Sequence, residues 1–227
     1  MITRRDVVKV TGLALGAGLL LPRLPVALAQ SGQSSGPQAS GSADVAALMQ
    51  PGPLGDVWQG PEDAKVTVIE YASMTCGHCA RWHKEVYPTF KERYIDTGKV
   101  RFTLREFPLD PRATAGFMLA RCDGNAMYYP ITDLLFDQQP AWAFVKPPQS
   151  PIDALDQLLR QAGFNKEKIE KCLADQKTYT AVNGVKQRAL DTFKVDSTPT
   201  FFINGQKYNG EMPIEDIEKV IKPIIGS

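Results

Sequence analysis

The stretch "MTCGHCARWH", residues 74–83, sets two cysteines three positions apart at a junction that constrains this chain more than any other feature. Before it runs "KVTVIEY" (Lys65–Tyr71), a β-branched segment with the pattern of a buried strand. After it, Trp82, Val86, Phe90 and Tyr94 recur at spacings of three and four, the apolar face of a helix. Cys76 and Cys79 therefore fall where a strand turns into a helix. Pro88 removes one hydrogen bond inside that helix and is expected to kink it. Both histidines of the chain, His78 and His83, lie in the same ten residues.

The remaining pattern frames this junction. "DVWQG" reads as a short edge strand and "KVRFTLREFPL" (Lys99–Leu109) as a longer strand. From about Asp110 to Phe193 the pattern is helical, interrupted by "DGN" and "KPPQSP". "TPTFFINGQKYNG" returns to strand, with Asn204-Gly205 as a two-residue hairpin turn. "IEDIEKVIKPII" closes the chain as an amphipathic helix. The order β-β-α-β, a helical block, then β-β-α predicts an α/β fold with an inserted helical domain.

The first 29 residues are set apart from that fold. Arg4 and Arg5, an apolar run from Val10 to Leu21 and a small-residue Ala27-x-Ala29 site follow the plan of a cleaved export signal. The apolar run is too short for a bilayer of ~30 Å. The paired arginines in "TRRDVV" resemble a twin-arginine signal, which would carry an already folded protein. Export would place the mature protein in the bacterial periplasm. Without residues 1–29 the chain keeps 22 basic against 24 acidic residues, a balance of −2 with no basic run, which gives nucleic acid no footing. "SGQSSGPQASGSA" (residues 31–43) reads as a flexible spacer, followed by a short helix near Asp44–Met49.

Three chemistries compete for the cysteines. A c-type haem needs C-x-x-C-H, and Ala80 follows Cys79. Zinc wants four ligands, and His78, lying between the cysteines, is badly placed to close a tetrahedron with Cys76, Cys79 and His83. A redox dithiol needs neither metal nor cofactor. A cysteine at a helix N-terminus faces unpaired N–H groups and the positive end of the helix dipole, which favours the Cys76 thiolate. The His78 imidazole can add to that. Cys79, one turn further in, keeps a higher pKa and can resolve the mixed disulfide. Glu70, on the strand before the site, is either a buried proton acceptor for Cys79 or a solvated strand-end carboxylate.

"CGHC" at a strand-to-helix turn and "STPTFFINGQ" over a hundred residues later resemble the thioredoxin superfamily. The helical insert, together with "EYASMTCGHCARWHKEVYPTFKERYIDTGKVRF" and "REFPLDPRATAGFMLARC", is similar to DsbA-like thiol:disulfide interchange proteins of alphaproteobacterial type. The resemblance covers about residues 55–225. It implies a thioredoxin-like domain over residues 55–111 and 190–227, a helical insertion over 112–189 and a flexible segment over 30–54. It also implies that Cys76 is the exposed nucleophile, Cys79 its buried partner and Glu70 the buried acid. Pro199 would be the cis-proline beside the sulfurs, with the Thr198 backbone open to a substrate strand.

Two positions depart from the strong oxidants of this family. Gly77-His78 replaces their proline and histidine, and Thr198 replaces the valine before the cis-proline. Both point to a milder potential, nearer the ~−180 mV of an isomerase than the ~−120 mV of the extreme oxidant. In an exported protein the remaining cysteines, Cys122 and Cys172, are expected to form a structural disulfide. The resulting expectation is a monomeric oxidase that donates its Cys76–Cys79 disulfide to reduced exported proteins and is reoxidised by a DsbB-like membrane quinone reductase. An isomerase or reductase fed by a DsbD-like donor is the alternative, and a non-catalytic peptide- or metal-binding protein is the third.

Overall fold

The structure, a computed structural model, describes residues 36–122 and 124–226; the export signal expected over residues 1–29 lies outside them. A five-stranded sheet runs through the described chain in the order β1-β5-β4-β2-β3. Its strands are β1 (Gly41–Ser42), β2 (Val66–Ala72), β3 (Val100–Glu106), β4 (Thr200–Ile203) and β5 (Gln206–Asn209). β2 and β3 are parallel, and the other neighbours are antiparallel. Ten helices accompany it among the described residues: α1 (Val45–Met49), α2 (Gly77–Glu85), α3 (Tyr87–Phe90), α4 (Pro111–Ala120), α5 (Tyr128–Asp137), α6 (Gln139–Trp142), α7 (Pro151–Leu159), α8 (Lys166–Leu173), α9 (Gln176–Phe193) and α10 (Ile214–Ile225).

The two-residue period of the strands sorts their side chains onto two apolar layers. Val66, Val68 and Ala72 of β2, with Val100, Phe102 and Leu104 of β3, pack in one cluster with Trp82 of α2 and Ile217 of α10. Ile69 and Tyr71 point the other way, onto Leu48 of α1 and Val185, Ala189 and Phe193 of α9. Glu70 shares the parity of Val68 and Ala72, so it is directed into the α2 layer and is fully buried.

The helical block does not carry a core of its own. The first cluster continues without a break from the sheet through Phe117 and Trp142 to Leu155, Leu159 and Ile169. α9 is one helix from Gln176 to Phe193, running across residue 189, and its C-terminal half covers the second face of the sheet.

Three local features follow from particular residues. The helix after the cysteines breaks at Val86, Pro88 enters the first turn of α3, and residues Lys91–Ile95 continue as a π-turn in which Asp96 N donates to Lys91 O at 2.8 Å. Asn204 and Gly205 both take positive φ, 46° and 86°, as a tight hairpin between right-twisted strands requires. The Asn204 side chain also bonds Thr67 N and Lys65 O, tying the hairpin to the start of β2.

Two expectations are corrected. The spacer does not stay free up to residue 54: Ser40 N donates to Lys207 O and Ala43 N to Gly205 O, both at 2.8 Å, and Leu48 is buried. Edge pairing of this kind uses only backbone groups, so small polar residues support it without an apolar signature. "DVWQG" is not a strand; it makes a single bridge between Gln59 and Phe102.

Cys122, at the end of α4, is joined by a disulfide to Cys172 of α8 across a sequence separation of 50. In the chain-entropy model a loop of that length stabilises the fold by about 4 kcal/mol. Replacing both cysteines by alanine is expected to lower unfolding free energy by about 2–4 kcal/mol in urea titrations, with the m-value raised because the uncrosslinked unfolded chain exposes more surface. A loss below about 0.5 kcal/mol would show that the bond carries no such constraint.

Candidate active site

β2 ends at Ala72 and α2 begins at Gly77, so residues 73–76 have to turn the chain within four positions. That turn is held from outside. Cys76 N donates to Ser73 O at 3.0 Å, and Ser73 Oγ accepts from Leu109 N. Thr75 Oγ1 donates to Asp110 Oδ2 at 2.6 Å, while Asp110 Oδ1 caps α4 through Arg112 N and Ala113 N. From α6, the Gln139 amide donates to both Met74 O and Cys76 O, at 2.8 and 3.0 Å. Gly116 of α4 packs against Met74, where an added Cβ would come within 3.2 Å of the Met74 side chain. The helical block thus fixes the loop that presents Cys76.

Cys76 is the N-cap of α2 and Cys79 lies in its first turn, both as free thiols. Cys76 retains 8% of its surface and Cys79 none, so Cys76 is more covered than an exposed nucleophile would be. The Cys76 pKa is pulled from 9.0 down to about 5. The largest cause is a hydrogen bond from the Cys79 thiol; burial works against it; the Thr198 hydroxyl and then the N–H groups of Cys79 and His78 assist. Helix-terminal N–H groups do act, but they rank below the two side-chain donors. Cys79 is displaced the other way, well above 9.0, by burial, by donating to Cys76 and by the charge of Glu70. One sulfur is thus held as a thiolate and the other as a thiol.

The cap of the site comes from the strand that follows the insertion. The Thr198–Pro199 peptide bond is cis, and Thr198 O lies 3.3 Å from Cys76 Sγ, where it accepts a hydrogen bond when that sulfur is protonated. Pro199 is buried, and its carbonyl accepts from Gly210 N.

The histidines part company. His78 is exposed, and its Nδ1 pairs with Glu211 of the segment before α10, a carboxylate that Arg81 Nε also holds at 3.1 Å. Its backbone N–H helps to hold the Cys76 charge. His83 is buried, stacks on Phe136 and places Nε2 2.8 Å from Glu70 Oε2. Glu70 is therefore no solvated strand end. The four sulfur and imidazole side chains do not converge, and no group of three or more metal-ligating side chains occurs among the described residues.

Sequence reasoning missed Glu211, Asp110, Gln139 and the partner of Glu70. His83 alone left a signal: it lies four residues after Cys79, on the same helix face, which is the inward one.

Comparison with known proteins agrees with this geometry. The thioredoxin family profile matches residues 54–223. A Rickettsia bellii protein, named as a protein-disulfide oxidoreductase, is 32% identical over 151 residues, 66% of this chain; the chain spans only 57% of that relative's length. Wolbachia pipientis alpha-DsbA1 superposes with a TM-score of 0.73 at 29% identity, covering 81% of this chain and 96% of that one. A protein-disulfide isomerase of Novosphingobium aromaticivorans shares the fold, with a TM-score of 0.66 at 18% identity over 76% of this chain and 98% of that one. The chain belongs to the thioredoxin family, and within it is a DsbA-like protein.

Proposed function

We propose that this chain is a protein-disulfide oxidoreductase that works as an oxidase in the bacterial periplasm, passing a Cys76–Cys79 disulfide to reduced exported proteins. The observation that carries the reading is the placement of Cys76 at the N-cap of α2 with a fully buried Cys79 behind it, which pulls the Cys76 pKa down to about 5. A stabilised thiolate favours the dithiol form, and a protein whose reduced form is favoured is an oxidant. Cys76 is the sulfur a substrate thiolate attacks; Cys79 leaves, and in the reverse direction resolves the mixed disulfide. Glu70 supplies and receives the Cys79 proton. Thr198 and Pro199 are the backbone against which an extended substrate lies, and a DsbB-like membrane quinone reductase restores the disulfide. Residues 112–189 serve as the insertion that clamps the active-site turn.

The deciding experiment is the reduction potential of the Cys76–Cys79 couple in glutathione buffers. It is expected between about −180 and about −120 mV. A value below about −230 mV overturns the oxidase direction and makes the protein a reductant. Cys76→Ser, assayed on a reduced unfolded substrate, is expected to abolish exchange altogether.

Alkylation of reduced Cys76 is expected to stay fast above pH 6 and to fall as pH drops through about 5, where the thiolate takes up its proton. Thr198→Val removes the buried hydroxyl that assists the Cys76 thiolate and has no other partner. It should raise the Cys76 pKa, slow alkylation at pH 5.5 by about threefold and make the potential less oxidising, the reverse of what the valine of the strong oxidants implies. An unchanged titration would remove Thr198 from the account.

Glu70→Gln keeps the shape and the contact with His83 but cannot take a proton. Resolution of the mixed disulfide, followed by acid quench and gel shift, should slow by about 10²-fold at pH 7. Wild-type resolution would leave Glu70 as a structural group only.

A further inference from the structure

Glu70 can relieve Cys79 of a proton, but a fully buried carboxylate has no contact with water through which to discharge it. Its partner, His83, is one of the residues that line a cleft open to water. His83 and Glu70 have side chains 2% and 0% exposed, and both keep an atom without a partner: Oε1 on Glu70 and Nδ1 on His83. A buried polar atom left unbonded costs about 1–3 kcal/mol, and here two lie on one hydrogen-bonded pair. The cleft, of about 330 Å³, lies between α2–α3 and α5, and Lys84, Tyr87, Lys91, Asp133 and Asp137 also line it.

We propose that His83 is the proton outlet of the dithiol: it gives a proton to water in this cleft when Glu70 takes one from Cys79, and takes one back when Glu70 returns it. His83 touches no sulfur; it is a positioning residue acting through Glu70, and the inference rests on the role of Glu70 stated above. In the reduced protein Glu70 is a carboxylate and His83 an imidazolium that donates Nε2–H to it. When Cys79 resolves a mixed disulfide, its S–H proton passes to Glu70 Oε1. Its sulfur electron pair forms the bond to Cys76 Sγ, and the bond from Cys76 to the substrate sulfur breaks, the substrate leaving as thiolate. His83 then releases its Nδ1 proton to the cleft, so the oxidised protein holds a neutral carboxyl and a neutral imidazole. Substrate attack on Cys76 runs the sequence backwards: Cys79 leaves as thiolate, recovers its proton from Glu70, and His83 recovers one from water.

The groups facing His83 from each packed element suit this traffic. β2 contributes Glu70, and α5 contributes Asp133, whose pKa is raised by burial and lowered by the charges of His83 and Lys91. Lys84 is drawn to Asp137 at 3.7 Å. The hydroxyls of Tyr87 and Tyr129 donate to Gln59 and to Val57 O, and burial keeps both protonated. Asp133 is thus the acid left at the cleft to hand protons between His83 and solvent.

The chain has two histidines, so nitrogen NMR of untagged, 15N-histidine-labelled protein reads both directly. At pH 7 His83 is expected to give imidazolium shifts in the reduced protein and a neutral Nε2–H tautomer in the oxidised one. The same protonation state in both forms overturns the proposal. This measurement uses the wild-type chain and so does not depend on a variant folding. His83→Gln, which can still donate to Glu70 but exchanges no proton, should slow mixed-disulfide resolution about tenfold at pH 7 while the Cys76 thiolate titrates as in wild type. Resolution at the wild-type rate also overturns it. If Glu70→Gln is slow while His83 is redox-silent, the outlet fails and the Glu70 reading stands; if Glu70→Gln is as fast as wild type, both fall.

Discussion

The hydrogen bond from the Cys79 thiol to Cys76 is the interaction on which the rest of the site depends. It is the largest single cause of the Cys76 thiolate, and it exists only while Cys79 stays protonated. Complete burial keeps it so, because ionising a sulfur with no access to water is unfavourable and the charge of Glu70 opposes it further. The burial in turn comes from packing around Trp82, whose ring lies 4.8 Å from Phe201 and 6.3 Å from Phe102, with its Nε1 donated to Met212 O. Sheet, α2 and the segment before α10 therefore maintain one chemical asymmetry between two otherwise identical side chains.

The helical insertion takes part in that asymmetry. Residues 73–76 have no regular partner strand or helix, and a loose turn there would let Cys76 move relative to Thr198 O. Asp110 and Gln139 prevent this from two sides, one as the cap of α4 and the other through both protons of a single amide. Because the insertion shares one continuous core with the sheet, those two anchors cannot shift without repacking it.

Much of this was readable in the residues. β2, β3, the Asn204-Gly205 hairpin, α10 and the break at Pro88 all carry strong local signals: β-branched runs, turn chemistry, amphipathic spacing, a missing N–H. The CxxC at a strand-to-helix turn located the site. What could not be read were features made of backbone pairing or long-range contact. β1 is two small residues whose bonds to β5 leave no mark on side-chain pattern. The Glu70–His83, Asp110–Thr75 and Gln139–Met74 contacts join residues 13, 35 and 65 positions apart, and only the folded chain sets those distances. The His78 ring was misjudged for the same reason. Its place between the cysteines suggests contact with sulfur, but a carboxylate from residue 211, supported by Arg81, draws it outward.

Three buried ion pairs sit along the sheet among the described residues, and their differences separate scaffold from chemistry. Arg105 is bonded to Asp56, Tyr71 and Leu48 O through all three of its nitrogens. Arg121 is bonded in the same complete way, to Glu106 and Asn125. A guanidinium does not change charge in the working pH range, so these pairs hold fixed charge with every guanidinium nitrogen bonded, as a structural pair must. Glu70–His83 differs on both counts: its cation is an imidazole, which unlike a guanidinium can exist neutral, and each partner keeps an atom unbonded. A buried ion pair contributes little net stability compared with well-packed apolar residues, and an incomplete one contributes less. Fold stability therefore gives no reason for this pair at the foot of Cys79, whereas movement of a proton gives one.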